Sequence, residues 1–431
     1  MLIELKAENF RSIRDEQKLS LVASNYDDTL PDNIIDKPLP GLSSVRFLKG
    51  AAIYGANASG KSNVLLVGKF ISEFVTSSAT NLKPGDKTGT VPFKLDAQSP
   101  LQPSKFEVTF ETGGIRYLYG FAATRQRVLE EHLVAYPKGQ PQKWIGRSYN
   151  AESKAYDWER ASANFKHDKA LQERTRENSL FVSVGAQFNH PQLLPVFDWF
   201  KTGLRYLQLS GGEEVLGPAF TAEMLQHPAT LEKIIQLMKS ADFGIASAKV
   251  SKKEVPLDVF KKALSAEMLA KLEADGMLDQ LKKQLDIQFL HNGRGIDPVP
   301  LGFGSESAGT RRFFSLTGPW LDTLQHGYTV FIDEIDTSLH PHLVRELLKL
   351  LLSKETNTNG AQIIFTTHNP VLLDTGVMRR DQIWFTEKTP EGSTHLYPLS
   401  EYSPRKDEAL GKGYLAGRYG AIPFIPDGLK L

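Results

Sequence analysis

The chain contains no cysteine. Disulfides, thiolate metal sites and a cysteine nucleophile are thereby excluded, and the composition fits a cytoplasmic protein. No apolar run reaches the ~18 residues that a membrane span requires, so no membrane segment is expected. An excess of charge of one sign is also missing. The 51 basic and 50 acidic residues leave a formal net charge of +1, which does not indicate a globally basic nucleic-acid binder. Paired cations at Lys252-Lys253, Lys261-Lys262, Lys282-Lys283 and Arg379-Arg380 are candidate phosphate contacts, although such pairs are more often solvated faces. Met1 runs into the strand-like Leu2-Ile3-Glu4-Leu5 without a basic or apolar leader, so no secretory signal is expected. Internal repeats and low-complexity tracts are absent too. What remains is a chain of 431 residues that is 41% hydrophobic, enough for a large core.

Residues 55–62 read Gly55-Ala56-Asn57-Ala58-Ser59-Gly60-Lys61-Ser62, a complete G-x-x-x-x-G-K-[ST] phosphate loop. Ala51-Ala52-Ile53-Tyr54 before it reads as a short buried strand, and Asn63-Val64-Leu65-Leu66-Val67 after it opens a helix. That strand–loop–helix setting gives the motif its meaning. The glycines let the backbone wrap close to phosphates, with successive N–H groups pointing inward. Lys61 brings positive charge to the β- and γ-phosphates, and Ser62 brings a hydroxyl to Mg²⁺.

A second constellation follows far downstream. Tyr328-Thr-Val-Phe-Ile332 reads as a fully buried parallel strand that ends in Asp333-Glu334. There Asp333 can hold Mg²⁺ beside Ser62, and Glu334 can take a proton from an attacking water. Ile335-Asp336-Thr337-Ser338-Leu339-His340 comes next, and a further strand, Gln362–Thr366, ends in Thr367-His368-Asn369. A histidine at that strand end is placed to contact the γ-phosphate. Upstream, Gly302-Phe303-Gly304-Ser305-Glu306-Ser307-Ala308-Gly309-Thr310 opens a helix whose free N–H groups could hold an anion.

In this order, phosphate loop, Ser-x-Gly helix start, Asp-Glu strand, following loop and strand-end histidine resemble the ABC-type ATPases. The resemblance is closest to the RecF/SMC/OLD-like branch, with Asn9-Phe10-Arg11-Ser12-Ile13 similar to its opening strand and turn. The tail from Arg405 through Tyr414 to Pro423 looks like the ending of the AbiL/RloA-like abortive-infection ATPases. The resemblance implies ATP and Mg²⁺ as ligands. It implies nucleotide contacts from Gly55, Asn57, Gly60, Lys61, Ser62, Asn63 and Asp336, metal contacts from Ser62 and Asp333, and catalytic roles for Glu334 and His368. Ser307 and Gly309 match the signature positions that reach the γ-phosphate of an opposite subunit, which implies a homodimer or a higher even oligomer. Leu209-Ser210-Gly211-Gly212-Glu213 spells that signature more literally, but it lies far from the Asp333 strand, whereas Ser307 lies shortly before it. The glutamine that completes the family's Mg²⁺ shell has no clear counterpart among Gln98, Gln102 and Gln126. The long coiled coil of the branch is missing, and the stretch after His368 is too short for the nuclease domain of OLD-type proteins.

The expected fold is α/β: an ABC-type P-loop ATPase head with a mixed sheet, an antiparallel β subdomain and a helical insert. Its expected divisions are 1–215 with the phosphate loop and antiparallel strands, 216–285 as a helical arm, and 286–431 with the signature, Asp-Glu strand and histidine. Helical patterns are expected over 168–206, 220–240 and 256–285. A full ATPase set with no second catalytic constellation points to a Mg-dependent ATPase that gates a separate effector, a nuclease or toxin, in antiphage defence. A RecF-like repair ATPase acting on DNA, a nucleotide-gated scaffold that sequesters a toxin, and a transporter subunit remain as alternatives. Bound DNA or RNA stays open.

Overall fold

The computed structural model describes residues 1–207, 217–241, 243–254, 283–294, 297–405 and 408–423. The chain divides into two compact units. One comprises Met1–Glu213, Thr323–Thr337 and Val344–Leu431, the other Glu214–Asp322 and Ser338–Leu343. Residues 286–322, grouped by sequence with the Asp-Glu strand, therefore belong to the second unit.

The first unit holds a six-stranded sheet in the order Leu204–Leu207, Thr329–Ile332, Gln362–Thr366, Gly50–Gly55, Ile383–Lys388 and Thr394–Pro398. The first five strands run parallel, and the last is antiparallel. Every residue of Gly50–Gly55, Thr329–Ile332 and Gln362–Thr366 is buried. Strands covered on both faces read as continuous apolar runs rather than alternating ones, as these do. Leu204–Leu207 corrects the helical expectation for 168–206. Helices occupy Lys169–Arg174, Phe181–Gln187 and Leu194–Asp198, but the segment ends in an edge strand.

Beside this sheet lies a seven-stranded antiparallel one. Its order is Ala155–Trp158, Gln142–Asn150, Val128–Tyr136, Ile115–Ala123, Ser104–Thr112, Leu2–Glu8 and Gln17–Ser20. The helix Lys61–Ser77 that leaves the phosphate loop buries Val64, Val67, Gly68, Ile71 and Val75, a stripe at helical spacing. Phe70 on the same helix packs 5.3 Å from Phe10 and 4.9 Å from Phe106 of the antiparallel sheet. The helix that starts at the phosphates is thus seated on the second sheet by aromatic contacts.

A buried ion pair fastens that sheet to its helices. The Glu131 carboxylate accepts the N–H groups of Phe181 (2.6 Å) and Val182 (3.1 Å) and the Tyr119 hydroxyl (3.0 Å). The Arg147 guanidinium lies 3.6 Å away with both side chains fully buried. Burial pushes the Glu131 carboxyl upward, against the opposing pull of Arg147 and the two amides. Glu131→Ala leaves Arg147 buried without its counter-charge. It should destabilise the first unit by about 3–5 kcal/mol, read as a lower urea midpoint at an unchanged m-value.

Arg379 is 1% exposed. Its guanidinium forks onto both oxygens of Asp381 at 2.9 and 2.7 Å and donates to the carbonyls of Thr29 and Asp27. This corrects the candidate phosphate role for the Arg379-Arg380 pair: Arg379 is a structural anchor.

The second unit contains helices Pro218–Met224, Pro228–Ser240 and most of Ala308–His326, with a three-stranded sheet of Ile245–Glu254, Lys283–His291 and Val299–Gly302. The helical expectation for 220–240 is met by two helices. That for 256–285 falls outside the described residues up to Lys283, where a strand begins. Ile245–Glu254 is a strand that the sequence reading did not anticipate.

Candidate nucleotide site

Parallel register decides what meets at the sheet's edge. Ile332 pairs with Phe365, Phe365 with Ala52, and Gly55 with Thr386. The chain therefore leaves Gly50–Gly55, Thr329–Ile332 and Gln362–Thr366 at the same carboxyl edge, which is where open α/β sheets bind ligands. Asp333-Glu334, Thr367-His368 and the phosphate loop all emerge there.

The loop turns through residues that permit it. Ala58 has φ +61° and Gly60 +109°. A Cβ on Gly60 would sit 2.0 Å from Thr394 Oγ1, so only glycine fits. Thr394 Oγ1 donates to the Ser59 carbonyl (2.9 Å) and contacts Ser12 Oγ (2.7 Å), which accepts from Asn63 Nδ2 (2.7 Å). Ser59 Oγ pairs with Thr386 Oγ1 at 2.7 Å. The loop is thus braced from behind by a hydroxyl network. Asn63, expected at the nucleotide, is part of that brace. Asn57, Ala58 and Ser62 are exposed on the other side.

Lys61 is 6% exposed, and its Nζ donates to the carbonyls of Gly55 and Ala56, each at 2.9 Å. Burial pulls its pKa down to about 8, while Asp333, Glu334 and Asp336 act in the opposite direction. His368 is also lowered, first by burial and then by Lys61, with the same three carboxylates opposing. Below its ordinary range the imidazole is neutral at pH 7 and offers one donor and one acceptor. One lysine, three carboxylates and one histidine thus act on one another across a single site.

The carboxylates are set by Thr366. Its hydroxyl donates to Asp333 Oδ1 at 2.5 Å and accepts the Glu334 N–H at 2.7 Å, while its carbonyl accepts the Ile335 N–H at 3.1 Å. Glu334 is left-handed at φ +50°, unusual for a residue with a Cβ. That turn takes the chain out of the strand directly after Asp333.

Residues 51–184 and 246–374 match the family described as "AAA domain, putative AbiEii toxin, Type IV TA system". The chain belongs to this family. Its phosphate loop leaves a mostly parallel sheet and opens a helix, the α/β setting that the sequence led one to expect. The family match does not show the expected closeness to the AbiL/RloA-like ATPases. The solved SMC head domain from Thermotoga maritima shares 14% identity over 92% of this chain and 98% of its own, at a TM-score of 0.39. An SmcHead bound to the C-winged helix domain of ScpA shares 12% over 93% and 99%, at 0.40. The Smc head domain with an extended coiled coil bound to the C-terminal domain of ScpA, derived from Pyrococcus furiosus, shares 13% over 93% and 97%, at 0.38. A comparison with curated proteins gives no match.

The AAA-family site fits a magnesium–triphosphate. Gly60 caps the 17-residue helix Lys61–Ser77 without a side-chain bond, and no acidic residue stands in the first turn, so its first N–H groups and the helix dipole are available to an anion. Asp336 Oδ1 is buried with no hydrogen-bond partner among the described residues, an acceptor still to be satisfied. Among the described residues no trio of His, Asp or Glu forms a self-sufficient metal site. A cation held by Ser62 and Asp333 would take its other ligands from phosphate and water, the usual mode for Mg²⁺. Bound there, it would neutralise charge on the phosphate oxygens.

Ser307 and Gly309 belong to the second unit. Ser307 Oγ accepts the Thr310 N–H (3.1 Å) and contacts Thr310 Oγ1 (2.8 Å), an N-cap for the helix Ala308–His326. The preceding turn is held by His291 Nε2 on Glu306 Oε1 at 2.7 Å. A Cβ on Gly309 would lie 3.0 Å from the Ser338 carbonyl, so the backbone at Ser338 packs on the start of this helix within the unit. Residues 209–213, the more literal signature, lie outside the described residues.

Thr366 escaped sequence reading because it looks like one more buried strand residue. Its only signal was a hydroxyl at the end of an otherwise apolar run. Thr366→Val keeps the volume and removes both bonds to the carboxylate pair. It should lower ATP turnover at least about tenfold, one hydrogen bond's worth or more, with little change in thermal midpoint.

Proposed function

We propose that the protein is a Mg-dependent ATPase that dimerises around ATP and uses the cycle to gate a separate effector in a defence or toxin–antitoxin setting. The convergence of Lys61, Asp333, Glu334, Asp336 and His368 at one sheet edge carries this reading. Lys61 and the loop amides hold the triphosphate. Ser62 and Asp333 hold the cation. Glu334 accepts the proton of the attacking water, and neutral His368 hydrogen-bonds the γ-phosphate. Phosphoryl transfer asks for positioning and charge neutralisation, and these residues supply both. Ser307 and Gly309 present a helix start to the nucleotide of a second copy, which makes the site composite. The toxin–antitoxin setting is supported by the description of the matching family.

The test of the composite site is Ser307→Arg. The variant should bind Mg·ATP as tightly as the wild type, yet stay monomeric in ATP by light scattering and lose turnover. Normal turnover as a monomer would refute action in trans.

A further inference from the structure

The tail after residue 408 plays no part in the reading above, yet it is packed into the site's foundations. Tyr414 lies in the helix Leu410–Leu415 and is 5% exposed. Its ring meets Tyr54 edge-on at 5.7 Å and stacks on Phe385 at 5.6 Å, bridging the phosphate-loop strand and its neighbour. The phenol donates to the Ala421 carbonyl at 3.2 Å. At its other end the helix holds the histidine segment. The Gly411 N–H donates to Asp374 Oδ1 at 2.8 Å, and Asp374 closes the turn Pro370–Asp374 that begins two residues after His368. There is no slack in this contact: a Cβ on Gly411 would lie 2.4 Å from Asp374 Oδ2 and 2.8 Å from the Pro370 carbonyl. Farther along, the Tyr397 hydroxyl donates to the Tyr419 carbonyl at 2.9 Å, and the Tyr419 hydroxyl donates to Glu408 at 2.6 Å. Packing alone would be served by phenylalanine at 414. The phenol's bond to Ala421 ties the helix to the end of the tail as well.

We propose that the tail helix, through Tyr414 on Tyr54 and Phe385 and Gly411 on Asp374, is a positioning element that fixes the phosphate-loop strand and the His368 turn relative to each other. The proposal rests on the ATPase reading above. Neither residue reaches a reacting atom. The helix is a short strut between the group that cradles the phosphates and the segment that carries the neutral imidazole. Loosening one end changes nucleotide affinity, loosening the other changes turnover, and the two effects are coupled because one helix transmits both.

The experiment uses the full chain with Tyr414→Leu, Tyr414→Phe, Asp374→Ala, Asp374→Asn and the Tyr414→Leu/Asp374→Ala double variant. Steady-state ATP hydrolysis, Mg·ATP affinity by calorimetry and thermal midpoints are measured for each. Tyr414→Leu loses the ring contacts with Tyr54 and Phe385 and should raise KM about fivefold, the worth of an aromatic pair, with kcat within twofold. Tyr414→Phe, which keeps the rings together, should restore most of the affinity. Asp374→Ala should lower kcat about tenfold with KM little changed, and Asp374→Asn, which keeps an acceptor oxygen, should restore most of it. The double variant should lose less than the product of the single losses. Kinetics that follow the thermal midpoint alone, an Asn variant no better than Ala, or fully multiplicative losses would overturn the strut. A wild-type chain that binds Mg·ATP without hydrolysing it would instead sink the ATPase reading. The strut is then judged on affinity, and an unchanged affinity in Tyr414→Leu overturns it.

Discussion

Glu334→Gln should bind Mg·ATP, cease to hydrolyse it and accumulate as the ATP-bound dimer. Glu334 sits at the carboxyl edge of the parallel sheet in a left-handed turn at φ +50°, its N–H on Thr366 Oγ1 and its Oε2 accepting from Thr337 Oγ1 at 3.2 Å. Glutamine has the same shape and can keep both bonds, so the fold and the nucleotide pocket should survive. It cannot accept a proton from water. Loss of a positioned general base lowers the rate by roughly 10²–10⁴-fold, while the residues that grip the triphosphate are untouched. Binding without turnover holds the dimer closed, visible as an ATP-dependent increase in mass by light scattering. A variant that turns over within threefold of the wild type would remove Glu334 from the chemistry.

Lys61→Ala should abolish productive Mg·ATP binding. The lysine is buried, bridges the two carbonyls at the start of the loop and faces three carboxylates. Alanine leaves those carboxylates without their cation at the place where a triphosphate must dock, so like charges repel. A loss of affinity of at least about a hundredfold follows, since a charge-assisted contact in a water-poor site is worth several times a neutral one. The wild type should carry a pH signature of the same residue. Free Lys61 titrates at about 8, and phosphate oxygens around its Nζ raise that value in the complex. A base whose pKa rises on binding gives full affinity below its free pKa and loses affinity as pH climbs above it. The dissociation constant should thus be flat below pH about 8 and rise up to tenfold per unit beyond it. Calorimetry across that range reads both effects, and a flat profile to pH 10 would separate Lys61 from nucleotide binding.

How much of this was legible in the sequence depended on whether a feature is local. The phosphate loop, the Asp333-Glu334 strand and His368 each carry their signal in a run of about eight residues, because a buried parallel strand followed by polar groups has few other readings. The core sheet and the antiparallel hairpins followed for the same reason. What failed was short or relational. Leu204–Leu207 is four residues at a sheet edge after a run of helices, too brief for its period to show. Ile245–Glu254 carries Lys252, Lys253 and Glu254 at its end, which obscures the alternation. Arg379 looked like half of a surface cation pair, and only its partners Asp27, Thr29 and Asp381, brought together by the fold, make it a core residue. Thr366 and Tyr414 were invisible as site residues because their importance lies in contacts with Asp333, Glu334 and Tyr54, not in a local pattern.

The most direct test of one nucleotide site shared by Lys61, Ser62, Asp333, Glu334 and His368 is a crystal structure of the Glu334→Gln variant with ATP and Mn²⁺, read by anomalous scattering. The account predicts a single strong manganese peak per chain, between Ser62 Oγ and the Asp333 carboxylate, with the γ-phosphate within hydrogen-bond reach of Lys61 and His368. Manganese elsewhere, or a nucleotide bound away from the loop at 55–62, would contradict it.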